Sequence, residues 1–211
     1  NKTILSENNS NWDDCHFNIS RLEPSRFTQY VAKAKKIINK EFQHSKKFAI
    51  KDPRNCMLFP IWEKACLELS INIKIILPYR NPYEVASSLS KRNNFSEGKS
   101  MLLWCHHFLS AEYLSRSYDR IFCFFDDLLI ETVTSIRRLD NFYNSKSTKK
   151  TLDQIKNFLN KDIKHYNKPL DYNPKKTPNF IKEIVQLIQQ NKLKDRIVFY
   201  EIRTEFYILL S

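Results

Sequence analysis

Three short apolar runs, each closed by a polar turn and followed by an amphipathic stretch, predict an α/β fold built from parallel βαβ units. The runs cover residues 47–51, 71–79 and 121–125. Their carboxyl ends are Lys51-Asp52-Pro53-Arg54, Arg80-Asn81-Pro82 and Asp126-Asp127. Ligands of such sheets sit off the carboxyl ends of the strands, so function is sought at these three turns.

Taken in order, the first 22 residues are polar and poorly patterned. From 25 to 42, Phe27, Tyr30, Val31, Ala34, Ile37, Ile38 and Phe42 recur at helical spacing, with lysines on the outer face. Residues 47–51 read as a short strand that stops at Asp52-Pro53. Pro60 is expected to open the next helix, with Ile61, Trp62, Ala65, Cys66 and Leu69 on one face. Ile73, Ile75, Ile76 and Leu77 mark the best buried strand, 71–79. After it, Asn81 as N-cap, Pro82 at N1 and Glu84 at N3 are a strong helix start with a capping-box pattern, and the helix runs to about Arg92. A polar loop precedes a helix over 101–116, then the strand 121–125. The rest, 131–211, is mostly helical: 131–143, 151–160, 179–191 with Thr177 as N-cap and Pro178 at N1, and 195–209.

Composition bounds the function. The chain has 211 residues, fitting one domain over 1–211, and 42% are hydrophobic, which argues against disorder. No apolar run approaches a membrane span. Five cysteines without a CxxC pair suggest core thiols and a reducing, cytoplasmic setting, with no metal or disulfide framework. Adjacent His106 and His107 point to different faces, which speaks against a two-histidine metal site. The net charge of +12 has two readings, a polyanion partner or lysines scattered over solvated faces. Gly98-Lys99-Ser100 resembles the end of a phosphate loop, but Asn93 stands where that loop needs a glycine and a helix precedes it. It is expected to be a solvated loop.

The turn at Arg80 is the best candidate. A helix N-terminus offers free N–H groups and partial positive charge, and an arginine at the strand end adds a bidentate donor. Glu84, Ser88 and Arg92 are spaced by four and share a face, so Ser88 and Arg92 could converge with Arg80 on one anion. A capped surface helix with incidental arginines is the alternative. Lys51 and Arg54 flank Asp52-Pro53, where a rigid turn would aim Lys51 at the same crevice and a structural Asp–Arg pair is the alternative.

Together these segments resemble sulfotransferases that use 3′-phosphoadenosine 5′-phosphosulfate (PAPS), especially bacterial glycan-type and tyrosylprotein members. The resemblance rests on Ala49-Ile50-Lys51-Asp52-Pro53-Arg54, Trp62, the Arg80-to-Leu89 segment, Arg92, Leu103-Trp104, Ser115-Arg116 and Phe124 to Leu129. Ile155 to Leu159 and Ile163-Lys164-His165 resemble the helical C-terminal part. It implies a three-layer α/β/α domain with a mainly parallel sheet, similar to P-loop nucleoside kinases. It also implies in-line transfer of a sulfuryl group from PAPS to an acceptor hydroxyl, the acceptor being a glycan. Arg80, Ser88 and Arg92 would hold the 3′-phosphate, Lys51 would stabilise the transferring group, and Asp52 is the candidate general base. Phe125 stands where the family often carries a tyrosine, so that hydroxyl is absent. No metal and no nucleic-acid partner are implied.

The family opens with a glycine-containing loop that cradles the 5′-phosphosulfate, whereas the single glycine here is Gly98. The expectation is a chain lacking its first strand and that loop, and inactive by itself. Two rivals are a non-catalytic basic protein that binds glycans or nucleic acid, and a nucleotide kinase, which the missing loop glycines disfavour.

Overall fold

Two strands, β1 (Lys74–Tyr79) and β2 (Asp119–Phe124), pair in parallel with Lys74 opposite Asp119 and Tyr79 opposite Phe124. The helices α4 (Pro82–Asn93) and α5 (Glu97–Leu114) form the crossover between them. The computed structural model describes residues 1–159, 177–190, 192–193 and 195–210. Ahead of the sheet lie α1 (Lys2–Ser6), a 3₁₀ turn at Ile19–Arg21, α2 (Pro24–Phe42) and α3 (Asn55–Glu68). Behind it follow α6 (Phe125–Ile130), α7 (Thr132–Tyr143), α8 (Lys149–Phe158), α9 (Asn179–Gln189) and α10 (Arg196–Leu210). Helix dominates, and among the described residues the sheet has two strands.

Two apolar clusters hold these elements. One gathers Tyr79, Tyr83, Met101, Trp104 and Leu109 with the inward faces of α9 and α10, including Phe180, Ile184, Phe199 and Phe206. The other joins Leu5 of α1, Tyr30, Val31, Ala34 and Ile38 of α2, and Met57, Leu58, Ile61 and Ala65 of α3. The alternation of β1 explains its part: Leu77 and Tyr79 are buried, while Ile76 on the opposite face stays 37% exposed. Cys66 and Cys105 are buried thiols and Trp104 packs in the core, as their periodic positions imply. Trp62 is half-buried, its Nε1 donating to Asn1 Oδ1 at 2.9 Å.

Several boundaries differ from the pattern. Residues 47–51 form no strand. Their side chains are drawn to helix ends instead: Phe48 stacks on Phe42 with centroids 4.3 Å apart, and Lys47 Nζ donates to Tyr143 O at 2.8 Å. Three apolar residues without a strand edge to join do not make a ladder.

Pro60 lies inside α3 and does not open it, because the turn at Asp52 starts the helix five residues earlier than expected. The Asn55 amide donates to Asp52 O at 2.9 Å. An interior proline costs roughly 3 kcal/mol. Burial of Met57, Leu58 and Ile61 offsets that, at about 1.5–3 kcal/mol for each large side chain.

Gly98-Lys99-Ser100 is the first turn of α5 and not a loop, since the Ser96 hydroxyl caps the helix by accepting from the Lys99 amide. The first 22 residues contain α1, pinned by buried Leu5 and by Asn1 Nδ2 donating to Asn55 Oδ1. Strand 71–79 shortens to β1, and Phe125 leaves β2 to begin α6. Pro178, and not Thr177, is the N-cap of α9. Ile163-Lys164-His165 lies outside the described residues.

Candidate functional site

The parallel register puts Arg80 and Phe125 side by side, because each is the first residue beyond a paired strand end. The Arg80 guanidinium carbon lies 4.6 Å from the Phe125 ring centroid, a cation–π contact. Its Nε donates to Glu84 Oε2 at 3.2 Å, and the Glu84 side chain is 0% exposed where that of Arg80 is 29% exposed. Trp104 Nε1 donates to Arg80 O at 3.1 Å, fixing the backbone at the same residue. The terminal nitrogens of Arg80 make no hydrogen bond among the described residues, which leaves a forked pair of donors on a partly exposed side chain.

Asn81 starts α4 by accepting the Tyr83 amide at 3.0 Å, a cap contributing about 1 kcal/mol. Ser88 and Arg92 follow Glu84 at one and two turns along the helix. Ser88 is half-buried; Arg92 is exposed and its Nε donates to Asn93 Oδ1 at 2.9 Å. The helical rise from Pro82 to Ser88 is about 9 Å, with Arg80 two residues ahead of the helix, so a shared anion needs Arg80 to run along α4. Its bond to Glu84 already sets that direction. To reach such an anion Arg92 would have to turn back towards the helix N-terminus, the way helical side chains lean, and away from Asn93. The structure thus joins Arg80 to Glu84 directly and sets Ser88 and Arg92 on the same stripe.

The second turn is built differently. Arg54 donates to both carboxylate oxygens of Asp52, from Nε at 2.8 Å and Nη2 at 2.7 Å, and its amide donates at 2.9 Å. Burial works to raise the Asp52 carboxyl, but the hydrogen bonds from Arg54 and Asn1 outweigh it and hold the group down at about 2. So acidic a group accepts a proton weakly, and its oxygens already hold the turn. Lys51 is exposed. Neither Lys51, Asp52 nor Arg54 shares a hydrogen bond or ion pair with Arg80, Ser88 or Arg92.

His106 and His107 diverge as adjacent helical positions must: His106 Nδ1 meets the Tyr207 hydroxyl at 3.2 Å, and His107 Nε2 donates to Trp12 O at 3.1 Å. Among the described residues no cluster of three or more His, Cys, Asp or Glu is arranged to hold a metal ion. Lys99 is tied to Asp13 at 2.6 Å and lies over the Phe95 ring. No described helix is long and apolar enough to cross a membrane.

Two contributors go beyond the residues that the sequence singles out for the anion. For Glu84 the available signal is its i,i+4 spacing from Arg80, which suits an ion pair. Phe125 as the platform for Arg80 needs the strand register. A third feature is the Tyr79 hydroxyl, which is buried without a hydrogen-bond partner among the described residues. Burial raises its pKa, with Tyr83, Asp126 and Glu84 adding to the shift. Removing an orphan hydroxyl relieves a desolvation cost of about 1 kcal/mol. Tyr79→Phe is therefore expected to raise the melting temperature by roughly 2–4 °C in calorimetry. A fall of that size would mean that the hydroxyl is satisfied in solution.

No protein-family model, curated protein or solved structure matches this chain.

Proposed function

We propose that this chain carries the 3′-phosphate half of a PAPS site in a sulfotransferase that transfers a sulfuryl group to an acceptor hydroxyl, a glycan being the acceptor class. The observation that carries this reading is the Arg80 fork, held off the carboxyl end of β1 by Glu84 and Phe125, with Ser88 and Arg92 along the same helix face. A 3′-phosphate needs a dianion receptor of that kind: a bidentate guanidinium, a hydroxyl donor and a second cation. In-line transfer then depends on positioning and on charge stabilisation at the leaving phosphate, the role proposed for Lys51. Asp52 holds the turn from which Lys51 projects.

The proposal includes the three-layer fold of that enzyme class and a cytoplasmic setting, in keeping with five free cysteines. No glycine precedes Gly98, so the glycine-containing 5′-phosphosulfate loop is not among these residues. The test is therefore confined to the 3′ half. By isothermal titration, adenosine 3′,5′-bisphosphate is expected to bind at least about tenfold tighter than adenosine 5′-monophosphate, one charge-assisted contact at minimum. The net charge of +12 favours the rival, a non-catalytic polyanion binder. That reading predicts equal affinity for the two nucleotides, together with steeply salt-dependent glycan or nucleic-acid binding that survives Ser88→Ala.

A further inference from the structure

Resting on that nucleotide reading, we propose that Glu84 and Phe125 are positioning residues which aim the Arg80 guanidinium at the 3′-phosphate without touching it. A carboxylate as fully buried as Glu84 is costly unless it is paired and hydrogen-bonded. Its contact with Arg80 serves that need, and it does so through Nε. A guanidinium has two useful edges, and engaging Nε leaves the two terminal nitrogens free as a fork. Phe125 supports the flat face of the same group from beneath. Trp104 holds the backbone carbonyl of Arg80. With edge, face and backbone constrained, the rotamer entropy an arginine loses on binding an anion is largely spent before the ligand arrives. The buried acid thus has a purpose beyond balancing charge: it keeps Arg80 extended along α4 towards Ser88. The phenylalanine at 125, where the resembled family often has tyrosine, acquires a meaning as well. The ring serves the arginine, and it needs no hydroxyl for that.

The experiment measures affinity for adenosine 3′,5′-bisphosphate and for adenosine 5′-monophosphate in four proteins: wild type, Glu84→Ala, Glu84→Gln and Phe125→Leu. Glu84→Ala is expected to reduce the preference for the bisphosphate by about tenfold, leaving the monophosphate within about twofold. Glu84→Gln keeps an oxygen that accepts from Arg80 Nε and is expected to retain the preference within about threefold. Phe125→Leu, which leaves the buried carboxylate in place, is expected to lower it by about threefold. A merely structural role predicts equal losses on both nucleotides and no rescue by glutamine, and that pattern would overturn the assignment. If Glu84→Ala does not fold, an unchanged preference in Phe125→Leu overturns it. A wild type without any preference removes the nucleotide reading, and this assignment with it. The wild-type ratio therefore tests the site, and the variant ratios test the positioning.

Discussion

Arg80→Ala is expected to weaken binding of adenosine 3′,5′-bisphosphate by about 30- to 100-fold, whereas Arg54→Ala changes it by less than about twofold. The magnitude follows from losing a bidentate, charge-assisted contact, roughly 2–3 kcal/mol, with each 1.4 kcal/mol a factor of ten. The contrast follows from geometry. Arg54 spends its Nε and Nη2 on Asp52 at 2.8 and 2.7 Å, so it has little left to offer a ligand. Arg80 spends only Nε on Glu84 and presents the rest. Arg54→Ala should instead register as a loss of stability, since it leaves the half-buried Asp52 carboxylate short of its main donor. The measurement pairs titration calorimetry with a melting curve for each variant. Equal losses of nucleotide affinity would move the site away from Arg80, and a net loss confined to Arg54→Ala would move it to the other turn.

The same residues separate what local sequence encodes from what only the folded chain decides. Arg80, Ser88 and Arg92 group by spacing, a local property that α4 preserves. Helices α2, α7 and α10 are legible for the same reason, their apolar residues recurring with the helical period along the chain. What fails depends on partners distant in sequence. The stretch 47–51 is a short apolar run like a strand, yet whether it joins a sheet depends on which edge is offered, and Phe42 and Tyr143 O claim its side chains first. Pro60 resembles a helix start because burial of its neighbours cannot be read from a proline. Phe125 becomes a platform through the pairing of Tyr79 with Phe124, a register that neither strand encodes by itself. The rigid turn at Pro53 predicts that Lys51 converges on the Arg80 crevice. No hydrogen bond or ion pair among the described residues joins them, so that half of the proposed mechanism rests on the resemblance.

A large effect away from the nucleotide is expected at His106, on pH. The residue is 1% exposed, its Nδ1 meets the Tyr207 hydroxyl, and its Nε2 has no partner among the described residues. Burial lowers its pKa from 6.5 to about 4, aided by His107, Arg203 and His16 and opposed by Asp14. Burial lowers His107 in the same direction. Above 6.5 both folded and unfolded chains hold a neutral His106, and its contribution to stability is fully present. As pH falls from 6.5 towards 4 the unfolded chain takes up a proton that the folded chain refuses, so stability declines. The slope is about 1.4 kcal/mol per pH unit, giving a loss of about 2 kcal/mol by about pH 5 and about 3 kcal/mol by pH 4. Depressed carboxylates such as Asp52, held at about 2 against an ordinary 3.8, begin to lose their contribution only towards the lower end of this window, and that smaller decline is common to the wild type and His106→Leu. His106→Leu removes the titrating ring while the Tyr207 hydroxyl keeps its contact with Ser110 Oγ at 3.2 Å. Urea unfolding followed across this range should therefore show a steep decline in the wild type and a shallow residual one in His106→Leu, the remainder belonging to His107 and to the depressed carboxylates. Parallel declines in the two proteins would mean that His106 is solvated and titrates normally. A ring proton exchanging at ordinary histidine pH in the folded protein, seen by NMR, would say the same. The steep outcome ties this buried ring to the packing of α5 against α10, and through α5 to Trp104, whose indole holds the backbone of Arg80.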